Sequence, residues 1–497
     1  MPALTRIVAT IGPATATADA INRLVKAGMN VARLNGSHNT LAWHAATTAT
    51  LRRAAPQVPI LLDVPGKKIR TAMLDHEPQF DAGDTIVLTT DTEYRGRDKV
   101  VVKHPTLHEM VTPGQRMFAD DGTLEFEVTG IEGRDISCRA ANAGTLRSRK
   151  GINLPGLDFG AVSLTPDDHN MMAFARKHGV DFVGISFVES ARHVGMIRAA
   201  AGTDGPGIVA KVESARGVEN LVEVVGACDA VMIDRGDLAV ETDLATVTLQ
   251  QKRILDAAIR AAKPVIVATE MLHSMIANPF PTKAEVADIT NAVLDGCAAM
   301  MLSGETAIGD FPDKAVALMR RVAAEVEPVL SPARLPKPEG DATFAVGEAI
   351  NLLCRTTPIT KIVAVTRTGH AARVIAAYYP TQPILAVSDD ASAARRLALY
   401  RGVEGIPLPF RFTQRSADHI ADAIEYLWQT GRVDDDDTIL AAAVSYPRQG
   451  NRLNSIQIHR IADLVVALGW VRWTDAAVPH DMLKAMAEPR RGLRAHA

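Results

Sequence analysis

Cysteine is scarce in this chain: four residues among 497, Cys138, Cys228, Cys297 and Cys354, with no C-x-x-C pair. That excludes a disulfide framework or a zinc knuckle and reads as buried thiols in a reducing compartment. An excess of one charge sign is missing too. The 54 basic residues nearly cancel the 57 acidic ones, leaving −3, which argues against a nucleic-acid or membrane-surface partner but allows a local cationic pocket. No apolar run approaches the ~18 residues that cross a bilayer. The stretch after Arg6 is only about four residues, too short for a signal-peptide core. No G-x-G-x-x-G follows a strand-like run and no G-x-x-x-x-G-K-S/T occurs, so Rossmann and P-loop sites are excluded. The expectation is a cytoplasmic protein. What remains is apolar mass, 47% hydrophobic against 22% charged residues, enough for the roughly three domains that such a length suggests.

Short Val/Ile/Leu runs alternate with longer amphipathic segments through the first two thirds. The runs cover residues 7–10, 30–34, 60–64, 182–187, 207–212, 230–233, 264–268 and 298–302. Continuous apolar runs of this length suit parallel strands buried on both faces. Helical period follows at 18–27, 167–178, 191–201, 244–262, 283–295 and 313–325. Eight βα units are the count of a (β/α)8 TIM barrel, here expected over 1–71 and 165–330. Residues 72–164 interrupt the third unit with short β-like segments, including 85–90 and 99–103. An insertion at that end of a barrel strand sits over the mouth as a β-rich lid. A Pro-rich linker (331–340) leads to a C-terminal α/β domain over 341–470, with strands expected at 362–366, 383–387, 406–410, 439–444 and 455–459. A loosely ordered tail, 471–497, ends the chain.

Barrel chemistry gathers at the C-terminal strand ends. Those ends carry Arg33-Leu34-Asn35-Gly36-Ser37-His38, Asp63, Lys211-Val212-Glu213, Arg235-Gly236-Asp237, Thr269-Glu270 and Ser303-Gly304-Glu305-Thr306. Glu213 and Asp237 are suitable oxygen ligands for Mg2+ or Mn2+. Lys211 and Arg33 supply positive charge for a phosphoryl or enolate oxyanion. Singly, each has a plainer reading: a surface lysine with its neighbour, an ordinary Arg-Gly-Asp turn, a helix cap at Ser303. His104 and His108 flank Pro105 and read as lid histidines rather than ligands.

Thr10-Ile11-Gly12-Pro13, Gly28-Met29-Asn30-Val31-Ala32-Arg33-Leu34-Asn35 and Lys150-Gly151-Ile152-Asn153-Leu154-Pro155-Gly156 resemble the pyruvate kinase family. So do Ala268-Thr269-Glu270-Met271-Leu272, Pro281-Thr282-Lys283-Ala284-Glu285-Val286 and, most specifically, Met301-Leu302-Ser303-Gly304-Glu305-Thr306-Ala307. The likeness runs in order over residues 4–462. It implies phosphoryl transfer from phosphoenolpyruvate to ADP, giving pyruvate and ATP, the last step of glycolysis. By the same resemblance Arg33 and Lys211 clamp the phosphoryl, and Glu213 and Asp237 hold the metal. Gly236, Asp237 and Thr269 hold the substrate carboxylate, while Thr269, Ser303 and Glu305 belong to the proton path. His38, Arg70 and Lys150 touch nucleotide phosphates, and Asn35, Ser37, Asp63 and Val64 align with a monovalent-cation site. The strand-to-helix turn with Thr366, Thr368 and Gly369 aligns with an effector site for a phosphorylated metabolite, and the assembly implied is a homotetramer.

Several positions depart from the family pattern. Gly36 stands where Phe is usual, removing a packing anchor and loosening its loop. Val64-Pro65-Gly66-Lys67-Lys68 stands where Thr-Lys-Gly-Pro-Glu is common. Asp234 replaces an Ala and Glu270 a Gln, each adding negative charge near the carboxylate-binding wall unless a cation pairs with it. Lys68 in place of an acid supplies an ammonium where the family holds potassium, so K+ is expected to be dispensable. Two rivals share parts of this pattern: a metal-dependent pyruvate-enolate lyase or aldolase on a barrel, and a degenerate kinase kept as a regulatory binding protein.

Overall fold

The computed structural model describes residues 3–66, 68–120, 122–157, 164–330, 335, 342–412, 418–443 and 453–473. All eight runs become strands of one closed barrel: β1 (Arg6–Thr10), β2 (Val31–Asn35), β3 (Ile60–Val64), β4 (Phe182–Ile185), β5 (Gly207–Lys211), β6 (Ala230–Asp234), β7 (Val265–Ala268) and β8 (Ala299–Leu302). Neighbours pair in parallel around the ring. Nearly every strand residue is buried, which is why the sequence shows unbroken apolar runs rather than alternation. The surrounding helices start where a hydroxyl caps the first turn. Thr17 and Ser190 accept from amides three residues on, and Thr165/Asp168 and Thr282/Glu285 form reciprocal capping boxes.

Register decides what reaches the mouth. Asp63 lies opposite both Asn35 and Gly184, Lys211 opposite Met232, and Asp234 opposite Ala268. The last residues of β2, β3, β5 and β6 therefore crowd one end of the barrel. The inserted segment forms a seven-stranded sheet, in the order Ile69–Arg70, Gly151–Asn153, Arg116–Ala119, Leu124–Glu132, Asp135–Ala140, Thr85–Thr89, Lys99–Val101. It has its own apolar core, with Phe126, Val128 and Ile136 at its centre. Barrel and insertion belong to one compact unit, Ile7–Ala323.

The second unit joins Met1–Arg6 to Ala324–Ala497. Glu327 accepts the backbone amides of Leu4 and Thr5, at 2.8 and 2.5 Å, which ties the first residues to this unit. Its five-stranded sheet runs Val403–Pro407, Ile384–Ser388, Lys361–Val365, Thr438–Ala443, Ser455–Arg460, with the last strand antiparallel. The third strand in sequence sits at Val403–Pro407, earlier than the expected 406–410. Beyond Pro407 the Leu408 amide still donates to the Ser388 carbonyl at 2.7 Å, and fully buried Val403 anchors the strand's start. Most of the expected linker and positions 474–497 of the expected tail lie outside the described residues. No helix among the described residues is long and apolar enough to cross a membrane. All four cysteines are buried and unbridged.

Candidate active site

Lys211, the last residue of β5, occupies the centre of the mouth and is almost fully buried. Its Nζ donates to Ser186 Oγ at 2.9 Å and lies 3.2 Å from Glu213 Oε2, 3.2 Å from Asp234 Oδ2 and 3.6 Å from Asp63 Oδ1. Burial alone would depress this ammonium, but Asp63, Glu213, Asp234 and Asp237 outweigh it and raise the pKa above the ordinary lysine value. Arg33, on β2, is fixed by Asp63 Oδ2 through Nε (3.0 Å) and Nη2 (2.6 Å), and its Nη1 donates to Thr10 Oγ1 at 3.0 Å. Two cations are thus held a short way apart with their hydrogen-bonding directions set.

The carboxylates divide by environment. Glu213 is wholly buried; Oε1 accepts the Phe187 amide at 2.9 Å, while Oε2 has the Lys211 ion pair but no hydrogen bond. Burial, reinforced by Asp234 and Asp237, pushes its pKa up to about 8 despite Lys211. Asp234 goes the other way. Burial opposes ionisation, but Lys211, Lys68 and Arg33 pull its carboxyl below the ordinary value. The cations that sequence could not place beside Asp234 are these. Asp237, in the first turn of the helix Arg235–Glu241, receives Lys68 Nζ on both oxygens, at 2.6 and 2.8 Å. Lys68 is therefore not a solvent-facing loop lysine; its side chain is 9% exposed. Gly151 makes its path possible, since a Cβ there would lie 2.5 Å from Lys68 Cε.

The structure brings the expected nucleotide contacts together as well. Arg70 Nη2 donates to Ser37 Oγ at 3.0 Å and Nη1 to the Arg149 carbonyl at 3.1 Å, and Lys150 pairs with Asp120 at 2.6 Å. Burial first, then Arg70, Arg33, Arg149 and Lys150, hold the His38 pKa below its usual value. Asn35 Oδ1 accepts the Ser37 amide at 3.1 Å. The expected slackness at Gly36 is absent: its N–H donates to the Asp63 carbonyl at 2.8 Å, and a Cβ would sit 2.7 Å from that oxygen. Any side chain here must displace the loop. Val64 is fully buried, and its carbonyl accepts the Ser186 amide at 3.2 Å.

On the opposite wall, Thr269 and Glu270 adopt φ of 69° and 56°. Thr269 Oγ1 accepts the Gly236 amide at 3.0 Å. Glu305 accepts the Leu272 amide at 3.1 Å and the Ser303 amide at 2.7 Å, which joins the loops after β7 and β8. Ser186, Asn153, Arg149 and Arg235 were not singled out individually from sequence. Asn153 lay inside the Lys150–Gly156 motif, and its Nδ2 donates to Asp237 Oδ1 (3.3 Å) and Glu241 Oε1 (2.9 Å). In the second unit, Thr366 Oγ1 accepts the Gly369 amide at 3.0 Å, and Gly369 takes φ 84° at the start of the helix His370–Ala377.

The oxygen donors fit a hard divalent cation. Ligand atoms of Glu213, Asp234 and Asp237 lie within 4.8 Å of one another, and the Lys68 ammonium already stands on one of them as an internal cation. Comparison with known proteins agrees. The family model described as pyruvate kinase, barrel domain, matches residues 3–316, and that for the pyruvate kinase alpha/beta domain matches 345–459. The chain belongs to the pyruvate kinase family. It is 36% identical over 419 residues to a pyruvate kinase of Homo sapiens, covering 75% of this chain and 73% of that one. It is 34% identical over 477 residues to that of Sporosarcina psychrophila, covering 93% and 81%. To that of Bacillus licheniformis it is 37% identical over 389 residues, covering 75% of this chain and 66% of the relative. Members of this family are phosphotransferases, and the pyruvate kinase barrel is the one seen here.

Beside this site, burial raises the Glu241 pKa to about 7, from 4.5, against the Asn153 hydrogen bond. The folded form then holds a proton that the unfolded form releases, so stability present at pH 4.5 is lost as pH rises towards about 7. The urea midpoint of the native protein in chelator, measured relative to that of Glu241→Gln, should fall as pH rises across this range. A difference that does not change with pH would contradict the assignment.

Proposed function

We propose that this chain transfers the phosphoryl group of phosphoenolpyruvate to ADP, giving pyruvate and ATP. The observation that carries the reading is the fixed Arg33–Lys211 cation pair beside the buried carboxylates, with the His38, Arg70, Arg149 and Lys150 group at the same mouth. The bond between phosphorus and the enol oxygen breaks as a terminal ADP phosphate oxygen bonds to phosphorus. Arg33 neutralises the transferring group, and Lys211 serves both that group and the enolate oxygen left behind. The enolate then takes a proton at carbon from the side lined by Thr269 and Ser303. Thr269 and the backbone amides around Gly236 and Asp237 form the wall for the substrate carboxylate. Glu213 and Asp237 would hold Mg2+ or Mn2+, which supplies Lewis-acid neutralisation of charge on the phosphoryl and enolate oxygens.

Neither rival explains the second cationic group, because a lyase or aldolase has no nucleotide phosphates to hold and a binding relic has no need of an intact Lys211. A coupled assay with phosphoenolpyruvate and ADP separates all three. Lys211→Met should lower turnover by about 100-fold or more; a native protein no faster than that variant ends the proposal.

Potassium is dispensable in this reading. Val64 offers no hydroxyl, Asp63 is already paired to Arg33, and Lys68 supplies a built-in positive charge at the mouth. Unit charges ~4 Å apart at an effective dielectric of about 20 interact by roughly 4 kcal/mol, so an ammonium here is a large term. Turnover in tetramethylammonium should match turnover in potassium at equal ionic strength, and Lys68→Glu should make potassium necessary. Loss of nearly all native activity without potassium would refute this, as would a Lys68→Glu variant that needs none.

The assembly proposed is a homotetramer, with a phosphorylated effector held at Thr366, Thr368 and Gly369. Light scattering at micromolar concentration should give four subunits, and Thr366→Ala should abolish any shift that sugar phosphates cause in the phosphoenolpyruvate saturation curve. A monomer, or a saturation curve that no phosphorylated metabolite moves, would count against these parts.

A further inference from the structure

Asp234 is the acid for which the phosphoryl-transfer reading has no task. It ends β6 three residues before Asp237, and register sets it opposite Ala268 on β7. A buried carboxylate with no ionic partner is costly, so its presence needs an account. Pairing with Lys211 at 3.2 Å is part of that account and not all of it. Lys211 already faces Glu213 at 3.2 Å and Asp63 at 3.6 Å, and Asp63 also binds Arg33. Across the mouth, Asp63, Glu213, Asp234 and Asp237 stand against Arg33, Lys68 and Lys211. All seven of these side chains are buried or nearly so.

Two observations point to where a further cation belongs. Oxygens of Glu213, Asp234 and Asp237 converge within 4.8 Å of one another. Glu213 is wholly buried, and its Oε2, ion-paired to Lys211, makes no hydrogen bond. Asp234 pairs with Lys211 through Oδ2 at 3.2 Å and contributes an oxygen to the converging set.

We propose that Asp234 is a third protein carboxylate on the divalent cation, beside Glu213 and Asp237. The proposal rests on the cation site of the preceding section. A six-coordinate Mg2+ or Mn2+ held by two carboxylates keeps the rest of its positions for water and substrate. A third carboxylate removes one water and adds negative charge, so the ion is held firmly before substrate arrives. The alternative is that Asp234 is only a counter-ion for Lys211 or Lys68, and acts on the metal through space.

Mn2+ titration of the whole protein without substrates, followed by electron paramagnetic resonance in 17O-enriched water, tells these apart. Native protein should bind Mn2+. Asp234→Ala, the residue usual in the family, should weaken binding by about tenfold or more and gain one water ligand, read from the added 17O line broadening. The same loss should persist in a Lys68→Met background. Asp234→Leu, close in shape and unable to ligate, carries the measurement if the Ala variant misfolds. An unchanged water count overturns the role of Asp234, as does a loss that vanishes once Lys68 is gone. Native protein that binds no Mn2+ overturns the cation site itself.

Discussion

The Lys211 ammonium and the acids around it set the conditions for everything else at the mouth. An ammonium this deeply buried survives only because Ser186 Oγ accepts one of its hydrogen bonds and Asp63, Glu213 and Asp234 face the rest. The dependence is mutual. Without Lys211, the carboxylates at the ends of β3 and β6 and just beyond β5 would repel one another in a low-dielectric space, and protonation would follow. Glu213 already shows that tendency, since burial holds its pKa near 8 even with the lysine present. Strand register creates the crowding and charge pairing makes it tolerable. Neither alone keeps a buried ammonium among these carboxylates.

A second layer of the same argument concerns the inserted sheet. Its first and last strands pair Ile69 with Ile152 and Arg70 with Gly151, and these are the segments that deliver Lys68 and Asn153 to Asp237. The sheet is thus joined to the barrel through a metal-ligand candidate, and not only through apolar packing. A change in charge at Asp237 must be felt at Lys68 and Asn153, and through them at the root of the insertion. The same carboxylate cannot keep both oxygens on Lys68 and also serve a metal fully.

What was legible in the sequence follows the range of the interactions. The eight strands were readable because parallel barrel strands are buried on both faces and leave unbroken apolar runs. Arg33, Lys211 and Asp237 were readable because the barrel assigns chemistry to strand ends. The partners of Asp234 and Lys68 were not, since the pairs with Lys211 and Asp237 span 23 and 169 residues and depend on register and lid placement. Gly36 misled for a related reason. Sequence comparison offered a lost Phe anchor, whereas the decisive contact is the Asp63 carbonyl from the neighbouring strand. The C-terminal strand at Val403–Pro407 was misjudged because the apolar residues Leu408 and Phe410 carry a strand-like composition past its end, whereas Glu404 and Gly405 inside it do not look apolar.

The wall opposite Lys211 shows how a strained segment is kept in place. Thr269 and Glu270 are consecutive non-glycine residues in the left-handed region, a conformation costing of order 1–3 kcal/mol at each. Arg235 offsets that cost by bonding three groups at once: the Ala268 carbonyl at 3.3 Å, the Thr269 carbonyl at 2.6 Å and Asp288 at 2.7 Å. The next residue, Gly236, gives its amide to Thr269 Oγ1. Arg235, Gly236 and Asp237 therefore act as one device with separate duties. The guanidinium fixes the backbone of the β7 loop, the amide orients its hydroxyl, and the carboxylate faces the cation. A lysine at 235 could not reproduce the forked contacts, because a single ammonium on a flexible stem lacks the planar set of donors. The Arg-Gly-Asp turn is thus a requirement of the wall, and it holds both the backbone and the hydroxyl of Thr269 in place.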